Sequence, residues 1–330
     1  RKLEPAPLAT REMLARIEAA NYEQHLDKLR TCDLVIEVIA EKFEWKRDLF
    51  AKIAPFLRDD VILSSNTSSL LIDDLAQTLP GHLRSRFCGT HFFNPPRYMH
   101  LVELIPGSAT DAGMLDVLES FLVTTLGKGV IRAPDTPTFL ANRVGVFAML
   151  AVVHHTQRLG LGFDTVDALT GSLIGRPKSA TYRTADVVGL DTLAHVVDGM
   201  AATLGDDPWH AYFKVPEWLR ALVARGALGQ KTGAGIYVKK GRDILVLDLQ
   251  TQDYRPSAAK VDEDVVDILK LKDPSARFSL LRQHASPQAQ FLWAIHRDVF
   301  HYIAFHLATI ADTARDVDLA LRWGYGWTLG

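Results

Sequence analysis

The sequence predicts an α/β domain built on a parallel, doubly wound sheet, followed by an all-helical domain. Short apolar runs rich in Val, Ile and Leu alternate with helical patterns over residues 33–133, as expected of βαβ units. From Pro137 onward the apolar residues recur with a helical period and the strand pattern stops. We therefore expect a sheet domain at residues 1–135 and a helical domain at residues 136–240.

The elements of the first domain follow from its apolar runs and from the polar, glycine and proline residues between them. Residues 33–39 (DLVIEVI) are expected to form a buried parallel strand, because such strands are almost continuously apolar. Further strands are predicted at residues 61–64, 86–92, 101–105 and 129–133, and helices at about 44–57, 67–79 and 110–126.

The helical domain is predicted to begin with Asp135 or Thr136 as the cap residue and Pro137 in the first turn. Residues 241–282 are charged and mixed, and we interpret them as a connector. Residues 283–330 are predicted to start a second helical repeat, because Val-Asp followed by apolar residues and glycines occurs in both 163–177 and 315–330. The alternative is that Val-Asp before an apolar stretch is ordinary helix-start chemistry.

Composition limits the classes of function. A formal net charge of -2 over 330 residues gives no electrostatic reason to expect nucleic acid or an anionic membrane as partner. No apolar run is long enough to span a membrane, and no close Cys/His spacing predicts a metal site. Cys32 and Cys88 adjoin apolar runs and are expected in the core, which favours a reducing, cytoplasmic location. Both ends of the sequence look cut from a longer polypeptide.

A dinucleotide-binding fold normally opens with a strand, a G-x-G-x-x-G loop and a helix. No such unit precedes Asp33. Three G-x-G triplets, at 160–162, 233–235 and 324–326, do not follow strands in an α/β unit and are predicted to be turns. Motifs alone therefore demonstrate no nucleotide site.

Polar residues cluster where strands of the sheet are predicted to end, which is where open α/β sheets bind ligands. His91 ends a strand, and Glu103 follows twelve residues later, beyond a loop with two prolines that can fold back. A carboxylate against one imidazole nitrogen fixes the tautomer and makes the other nitrogen a general base. Ser68 and Asn142 are further candidates. Taken alone, each residue has a simpler interpretation: Ser68 as a serine at a helix start, and His91 and Asn142 as structural residues. Together these residues, drawn from both predicted domains, suggest an interdomain cleft.

Several segments in this order resemble the L-3-hydroxyacyl-CoA dehydrogenase family: CDLVIEVIAEKFEWK, SSNTSSL, GTHFFNPPRYMHLVELI and DTPTFLANR, followed by GRPKSATYRTADVVGLD and GQKTGAGIYV. The resemblance covers roughly residues 20–240. It implies a Rossmann-type NAD domain, here without its N-terminal glycine-loop part, followed by a helical domain with the acyl-CoA bound between them.

Four positions carry the family's catalytic roles by resemblance. His91 matches the catalytic histidine and Glu103 its carboxylate partner, while Ser68 and Asn142 match the residues that hold the substrate's 3-oxygen. The implied reaction is NAD-dependent oxidation of a 3-hydroxyacyl-CoA in fatty-acid β-oxidation.

The resemblance also implies a cofactor site. Glu41, Lys46 and Asn66 match positions near the nicotinamide end of NAD. The family's first strand, glycine loop and ribose-binding acid have no counterpart in this sequence, so the strand at residues 33–39 is predicted to have an unpaired or substituted neighbour.

Two further departures concern the acyl-chain contacts. Thr138 stands at a usual glycine, and residues 179–181 (Ser-Ala-Thr) stand where Gly-Pro-Phe is common.

The resemblance has implications for partners. Single-unit members pair through their helical domains, so we expect either a homodimer or an intrachain pseudo-dimer formed by the second helical unit. Larger fatty-acid-oxidation enzymes of this type predict a fused enoyl-CoA hydratase domain beyond Gly330.

Two rival interpretations remain open. One is another two-domain β-hydroxyacid dehydrogenase, although those generally use a catalytic lysine. The other is a non-catalytic or cofactor-deficient relative that keeps the fold.

Overall fold

The computed structural model describes residues 6–330. The chain divides into two compact units. The first runs up to Asn142 and also takes in residues 307–325, and the second comprises residues 143–306 and 326–330. The last part of the chain therefore contributes a helix to the first unit, which the predicted division into consecutive segments did not foresee.

Within the described residues, the first unit holds one five-stranded sheet, ordered β1-β2-β3-β4-β5. Two short 3₁₀ turns, Arg11–Arg16 and Leu26–Thr31, precede it. The strands are β1 (Leu34–Glu37), β2 (Ile62–Ser65), β3 (Phe87–Phe92), β4 (Leu101–Pro106) and β5 (Gly129–Arg132). The helices between them are α1 (Phe43–Ile53), α2 (Ile72–Gln77), α3 (Gly81–Arg84) and α4 (Ala112–Thr124). The predicted alternation of strands and helices is confirmed, but the helix predicted at about 67–79 is shorter, and α3 was not predicted.

One pair of strands departs from the predicted parallel sheet. β1, β2 and β3 are mutually parallel and β5 is parallel to β4, but β4 runs antiparallel to β3. Only residues 93–100 join β3 to β4, and a parallel return needs a crossover of a dozen residues or more. The short loop therefore forces the antiparallel pairing.

The core of the first unit lies between α4 and the sheet. Apolar residues from β2, β3 and β4 pack there on one face of α4: Ile62, Cys88, Val102, Leu104, Met114, Leu115, Leu118 and Leu122. Asp111 is the N-cap of α4. Its side chain accepts a hydrogen bond from the Met114 N–H, an amide that has no partner within the helix. Cys32 and Cys88 are both free thiols, and burial raises the pKa of Cys88 to about 12.

The first strand lies at the edge of this sheet. β1 pairs with β2, and no strand within residues 6–330 pairs with its other side, so the predicted unpaired neighbour is confirmed for that part of the chain. The expectation of a buried strand is wrong here, because Ile36 is 36% exposed and Val38, just beyond the strand, is 67% exposed. Strand propensity is local, whereas burial depends on neighbours that an edge strand lacks.

The second unit is mainly helical. Its elements are α5 (Ala141–Leu159), whose first two residues belong to the first unit, α6 (Phe163–Thr170), α7 (Tyr182–Val188), α8 (Leu190–Thr203), α9 (Glu217–Ala224), α10 (Glu263–Lys270), α11 (Pro274–Gln283) and α12 (Pro287–Ile310), whose last turn returns to the first unit. α13 (Ala314–Tyr325) then lies wholly in the first unit.

The second unit also contains a small sheet that the sequence did not predict. β6 (Tyr237–Lys240), β7 (Asp243–Leu247) and β8 (Tyr254–Pro256) form an antiparallel sheet of three strands among the residues described. Residues 241–282, expected as a connector, therefore carry two strands and the helices α10 and α11. The charged flanks obscured the short apolar run 244–247 (ILVL), whose strand is stabilised by pairing on both sides.

The two long helices α5 and α12 pack antiparallel within the second unit. The Phe147 ring stacks on Tyr302 with centroids 3.8 Å apart, and His155 Nε2 lies 2.6 Å from Asp298 Oδ2. Early residues of α5 thus meet late residues of α12. No helix in the described part of the chain is long and apolar enough to cross a membrane. No cluster of metal-ligating side chains is found there either.

Candidate active site

The antiparallel pairing of β3 with β4 places His91 directly opposite Glu103. His91 Nδ1 lies 2.6 Å from Glu103 Oε2, and both side chains are buried. The predicted contact is therefore present in the structure, through a strand pair rather than through the loop alone. No residue between 6 and 330 hydrogen-bonds to Nε2, so this nitrogen remains available to a ligand.

The second oxygen of Glu103 holds the start of α5. Glu103 Oε1 accepts hydrogen bonds from the backbone N–H groups of Leu140, at 3.1 Å, and Ala141, at 2.7 Å. A carboxylate at a helix N-terminus satisfies amides that lack an intrahelical partner and interacts favourably with the helix dipole. One buried carboxylate thus orients the histidine and anchors the helix that carries Asn142.

The predicted start of this helix is wrong. Pro137 lies in the turn before α5, which begins at Ala141. Asp135 does not cap α5, because its two oxygens accept hydrogen bonds from the Ile72 and Asp73 N–H groups at the start of α2. Glu103 takes its place at α5, and no local pattern predicts a cap from another strand.

The turn before α5 is strained. Thr138 and Phe139 have φ angles of 64° and 55°, in the left-handed region that a β-branched residue rarely adopts. Thr138 is buried, and its hydroxyl has no hydrogen-bond partner in the part of the chain that is described. The Phe139 ring lies 5.7 Å from the His91 ring, so this turn forms one wall of the histidine environment.

Asn66 follows β2 and ties it to β3. Its Oδ1 accepts a hydrogen bond from the Phe92 N–H at 3.0 Å, next to His91. Its amide nitrogen has no protein partner among residues 6–330. Asn66 therefore supports the strand that carries His91 and keeps two donors available at the strand end.

Glu41 organises the turn after β2. Its Oε1 accepts hydrogen bonds from the Thr67 hydroxyl at 2.6 Å, from the Ser68 N–H at 2.8 Å and from the Ser69 N–H at 2.9 Å. Burial of the Glu41 carboxyl opposes ionisation, but these hydrogen bonds and the Lys46 ammonium outweigh it and lower the pKa of Glu41. The Ser68 side chain is exposed and its hydroxyl has no partner in the described chain.

Lys46 is buried beneath this turn. Its ammonium lies 2.8 Å from each Glu37 oxygen and 3.5 Å from Glu41 Oε2, with the Lys46 and Glu37 side chains each 1% exposed. Glu37 Oε2 also accepts a hydrogen bond from the Ser65 hydroxyl at 2.5 Å. The lysine thus organises the carboxylates of Glu37, at the end of β1, and of Glu41, in the segment that follows it, and does not present its charge to solvent.

Asn142 is the second residue of α5 and belongs to the first unit, as do His91, Glu103 and Ser68. Asn142 was predicted to lie in the helical domain that begins at residue 136, and in the structure it falls in the same compact unit as the other three residues. Asn142 Oδ1 accepts a hydrogen bond from the Tyr325 hydroxyl at 3.1 Å. No hydrogen bond joins Asn142 or Ser68 to His91 in the described residues.

Sequence reasoning missed Glu37 and Tyr325. Glu37 sits in an apolar run, where a buried acid nine residues before a lysine was the available signal. Tyr325 lies in the triplet Gly324-Tyr325-Gly326, which was predicted to be a turn. Gly324 and Tyr325 instead end α13, and only Gly326, with φ of 67°, turns the chain.

Residues 2–136 match the family model described as the 3-hydroxyacyl-CoA dehydrogenase NAD-binding domain, and residues 139–239 match the model of its C-terminal domain.

Among curated proteins, a probable 3-hydroxyacyl-CoA dehydrogenase of Deinococcus radiodurans is 40% identical over 242 residues, covering 73% of this chain and 69% of the relative. One of Bacillus subtilis is 37% identical over 329 residues, covering 100% of this chain and 42% of that protein. A putative fatty acid oxidation complex trifunctional enzyme of Rickettsia felis is 33% identical and covers 100% of this chain and 45% of that protein. The chain thus spans less than half of the length of these last two relatives.

Solved structures agree. One is the crystal structure of an (S)-3-hydroxybutyryl-CoA dehydrogenase of Ralstonia eutropha, whose sequence is 32% identical to this chain. The match covers 69% of this chain and 76% of the Ralstonia chain, with a TM-score of 0.61. The match to an Escherichia coli 3-hydroxybutyryl-CoA dehydrogenase, 23% identical in sequence, covers 91% of this chain and 73% of the Escherichia coli chain with a TM-score of 0.69. This match supports the fold. With a matching NAD-binding domain, a matching C-terminal domain and the His–Glu strand pair, the chain belongs to the 3-hydroxyacyl-CoA dehydrogenase family of oxidoreductases.

Proposed function

We propose that this chain catalyses the NAD-dependent oxidation of (S)-3-hydroxyacyl-CoA to 3-ketoacyl-CoA in fatty-acid β-oxidation. The observation that carries the proposal is the buried His91–Glu103 pair, with Nδ1 held by the carboxylate and Nε2 without a protein partner. Family membership supports the same reaction.

His91 is the general base of the proposed reaction. Because Glu103 holds the proton on Nδ1, Nε2 carries the lone pair that accepts the proton of the 3-hydroxyl. The same carboxylate stabilises the imidazolium that forms. In the reverse direction the imidazolium returns this proton to the ketone oxygen.

Ser68 and Asn142 are proposed to hold the substrate's 3-oxygen. The Ser68 hydroxyl has no protein partner in the residues described, and the Asn142 amide nitrogen remains free to donate because Tyr325 binds its oxygen. Donors already aimed at the oxygen where charge develops stabilise the transition state without reorganisation. Ser68 lies in the turn that Glu41 anchors, and Asn142 lies in the first turn of α5, which Glu103 anchors.

The polar edge formed by β1 and β2 fits the nicotinamide end of NAD. Asn66 keeps an unpartnered amide nitrogen there, Glu41 supplies a charged carboxylate, and Lys46 holds Glu41 from below. NAD, when bound, supplies the hydride acceptor. We propose direct contacts from Glu41 and Asn66, and a supporting role for Lys46 because its ammonium is buried against Glu37.

The proposal extends to the partners of this chain. We propose that the antiparallel packing of α5 on α12 replaces a dimer contact inside one chain, and the stacked Phe147 and Tyr302 support this. The expected enoyl-CoA hydratase partner is supported by relatives named as trifunctional fatty-acid-oxidation enzymes. The cytoplasmic location stays a prediction from the two free cysteines.

The test is NADH consumption with acetoacetyl-CoA, measured on the full natural polypeptide. His91→Ala is expected to lower kcat by about 10²–10⁴-fold, the usual contribution of a positioned general acid–base. His82→Ala, at an exposed histidine of α3, is the matched control and is expected to keep activity.

Three outcomes are distinguishable. Turnover that depends on His91 supports the proposal. Bound NADH without turnover in the parent directs the search to another acyl substrate. Absence of both turnover and NADH binding favours the non-catalytic interpretation.

A further inference from the structure

The final helix of the chain packs on the sheet that carries the catalytic pair. α13 lies against β4 and β5 in the first unit. A Cβ atom at Gly324 would lie 2.8 Å from Leu101 Cδ2, and one at Gly129 would lie 2.5 Å from Trp323 Cε3. A Cβ atom at either position would require the facing side chain to shift, so the two glycines favour this close approach of α13 to the strands.

This approach brings Tyr325 next to the candidate catalytic residues. The Tyr325 hydroxyl lies 3.1 Å from Asn142 Oδ1. Its ring packs edge-on against Phe93 with centroids 6.3 Å apart, and Phe93 in turn lies 4.6 Å from the His91 ring. Tyr325 is thus 183 residues from Asn142 in sequence and in direct contact with it in the fold.

In this hydrogen bond the Tyr325 hydroxyl is the donor and the Asn142 amide oxygen is the acceptor. A phenol hydroxyl that donates to the amide oxygen sets the orientation of the Asn142 side chain, because the amide has one acceptor and one donor end. The amide NH₂ then points away from Tyr325. Burial and the Glu103 carboxylate raise the pKa of Tyr325, so its hydroxyl stays protonated and remains a donor.

We infer that Tyr325 is a positioning residue for the reaction, which holds the Asn142 amide so that its NH₂ donates to the 3-oxygen of the acyl-CoA. α13, which lies in the first unit, thereby completes the oxygen-binding part of the site. This inference rests on the proposed function and adds to it a residue outside the two segments that match the family models.

The first test compares two ligands by calorimetry. Acetoacetyl-CoA carries a 3-oxygen and butyryl-CoA does not. Tyr325→Phe, which removes only the hydroxyl, is expected to weaken acetoacetyl-CoA binding about five- to ten-fold, the equivalent of one hydrogen bond, and to leave butyryl-CoA binding unchanged. Tyr22→Phe, at a tyrosine 46% exposed outside the site, is the matched control.

The second test is a double-mutant cycle on turnover. Tyr325→Phe is expected to lower kcat about ten-fold with an unchanged KM for NADH and an unchanged thermal midpoint. In an Asn142→Ala background the same substitution is expected to have no further effect, because the group that Tyr325 orients is gone.

The outcomes separate the inference from the proposed function. A parent that binds both ligands and turns over, with Tyr325→Phe indistinguishable from it, overturns the inference alone. Equal losses for the two ligands, or the same kcat loss in the Asn142→Ala background, also overturn it. A parent that neither binds acetoacetyl-CoA nor turns over removes the proposed function, and the inference with it.

Discussion

At the scale of single residues, Glu103 is the side chain on which the site depends. Its side chain is fully buried, with one oxygen on His91 and the other on two backbone amides of α5. A buried carboxylate is costly unless it is paired and hydrogen-bonded, and here both oxygens are satisfied. The same group therefore sets the histidine tautomer and the position of Asn142.

Glu103→Gln tests the charge separately from the geometry. The amide oxygen of glutamine can still accept from Leu140 and Ala141, but it cannot stabilise the imidazolium. We expect kcat with acetoacetyl-CoA to fall about 10²–10⁴-fold while the KM for NADH stays close to that of the parent. Glu44→Gln, at an exposed position of α1, is the control, and an unchanged kcat in Glu103→Gln would contradict the assigned role.

Thr138 stores strain beside this pair. Thr138→Gly relieves a left-handed backbone at a β-branched residue and removes a buried hydroxyl without a partner. After the larger entropy of an unfolded glycine is subtracted, we expect the free energy of unfolding to rise by about 1 kcal/mol. Urea denaturation measures it. Thr138→Ala, which keeps the Cβ, separates the strain from the hydroxyl, and a destabilised glycine variant would refute this account.

At the scale of elements, the antiparallel pair α5 and α12 is joined by a polar contact inside an apolar interface. Asp298 of α12 accepts hydrogen bonds from His155 and from the Tyr212 hydroxyl, at 2.6 Å and 2.8 Å. Burial opposes ionisation of this carboxyl, but the hydrogen bonds from His155, Arg297 and Tyr212 outweigh it and lower the pKa of Asp298 to about 2. The folded state therefore favours the carboxylate.

Asp298 makes the stability of this pair sensitive to acid. Because its pKa is lowered on folding, its contribution is present above the ordinary aspartate range and is lost as the pH falls from about 4 to about 2. Asp298→Asn is expected to cost about 2 kcal/mol at neutral pH, and this difference from the parent should shrink below about pH 4. Denaturation across this pH range measures it, with the exposed Asp318→Asn as control. A difference that does not vary with pH would rule out the ionic contribution.

At the scale of the whole molecule, we propose that the packing of α12 on α5 takes the place of the dimer contact expected from the family resemblance. Phe147 and Tyr302 stack, and Arg143 Nε donates to the Tyr302 hydroxyl at 2.8 Å. Phe147 and Tyr302 are both fully buried, so α12 covers this part of α5.

The solution mass of this chain tests that arrangement. We expect light scattering coupled to size exclusion to give the mass of one chain at micromolar concentration, because α12 covers the α5 face. Tyr302→Ala, which removes the stacked ring, is expected to lower stability by about 3–5 kcal/mol, as for other buried aromatic side chains. A stable dimer of the parent would contradict the intrachain interpretation.

Three features could be predicted without the fold: the alternation of strands and helices, the helical character of the later chain, and His91 and Glu103 as a candidate pair. These follow from periodicity and motifs, which are local properties of the chain. Other features required the folded chain: β4 runs antiparallel to β3, Glu103 rather than Asp135 anchors α5, and Tyr325 contacts Asn142. The reason is physical: Glu103 and Ala141 are 38 residues apart and Tyr325 and Asn142 are 183 apart, so these hydrogen bonds exist only once packing has brought distant segments together.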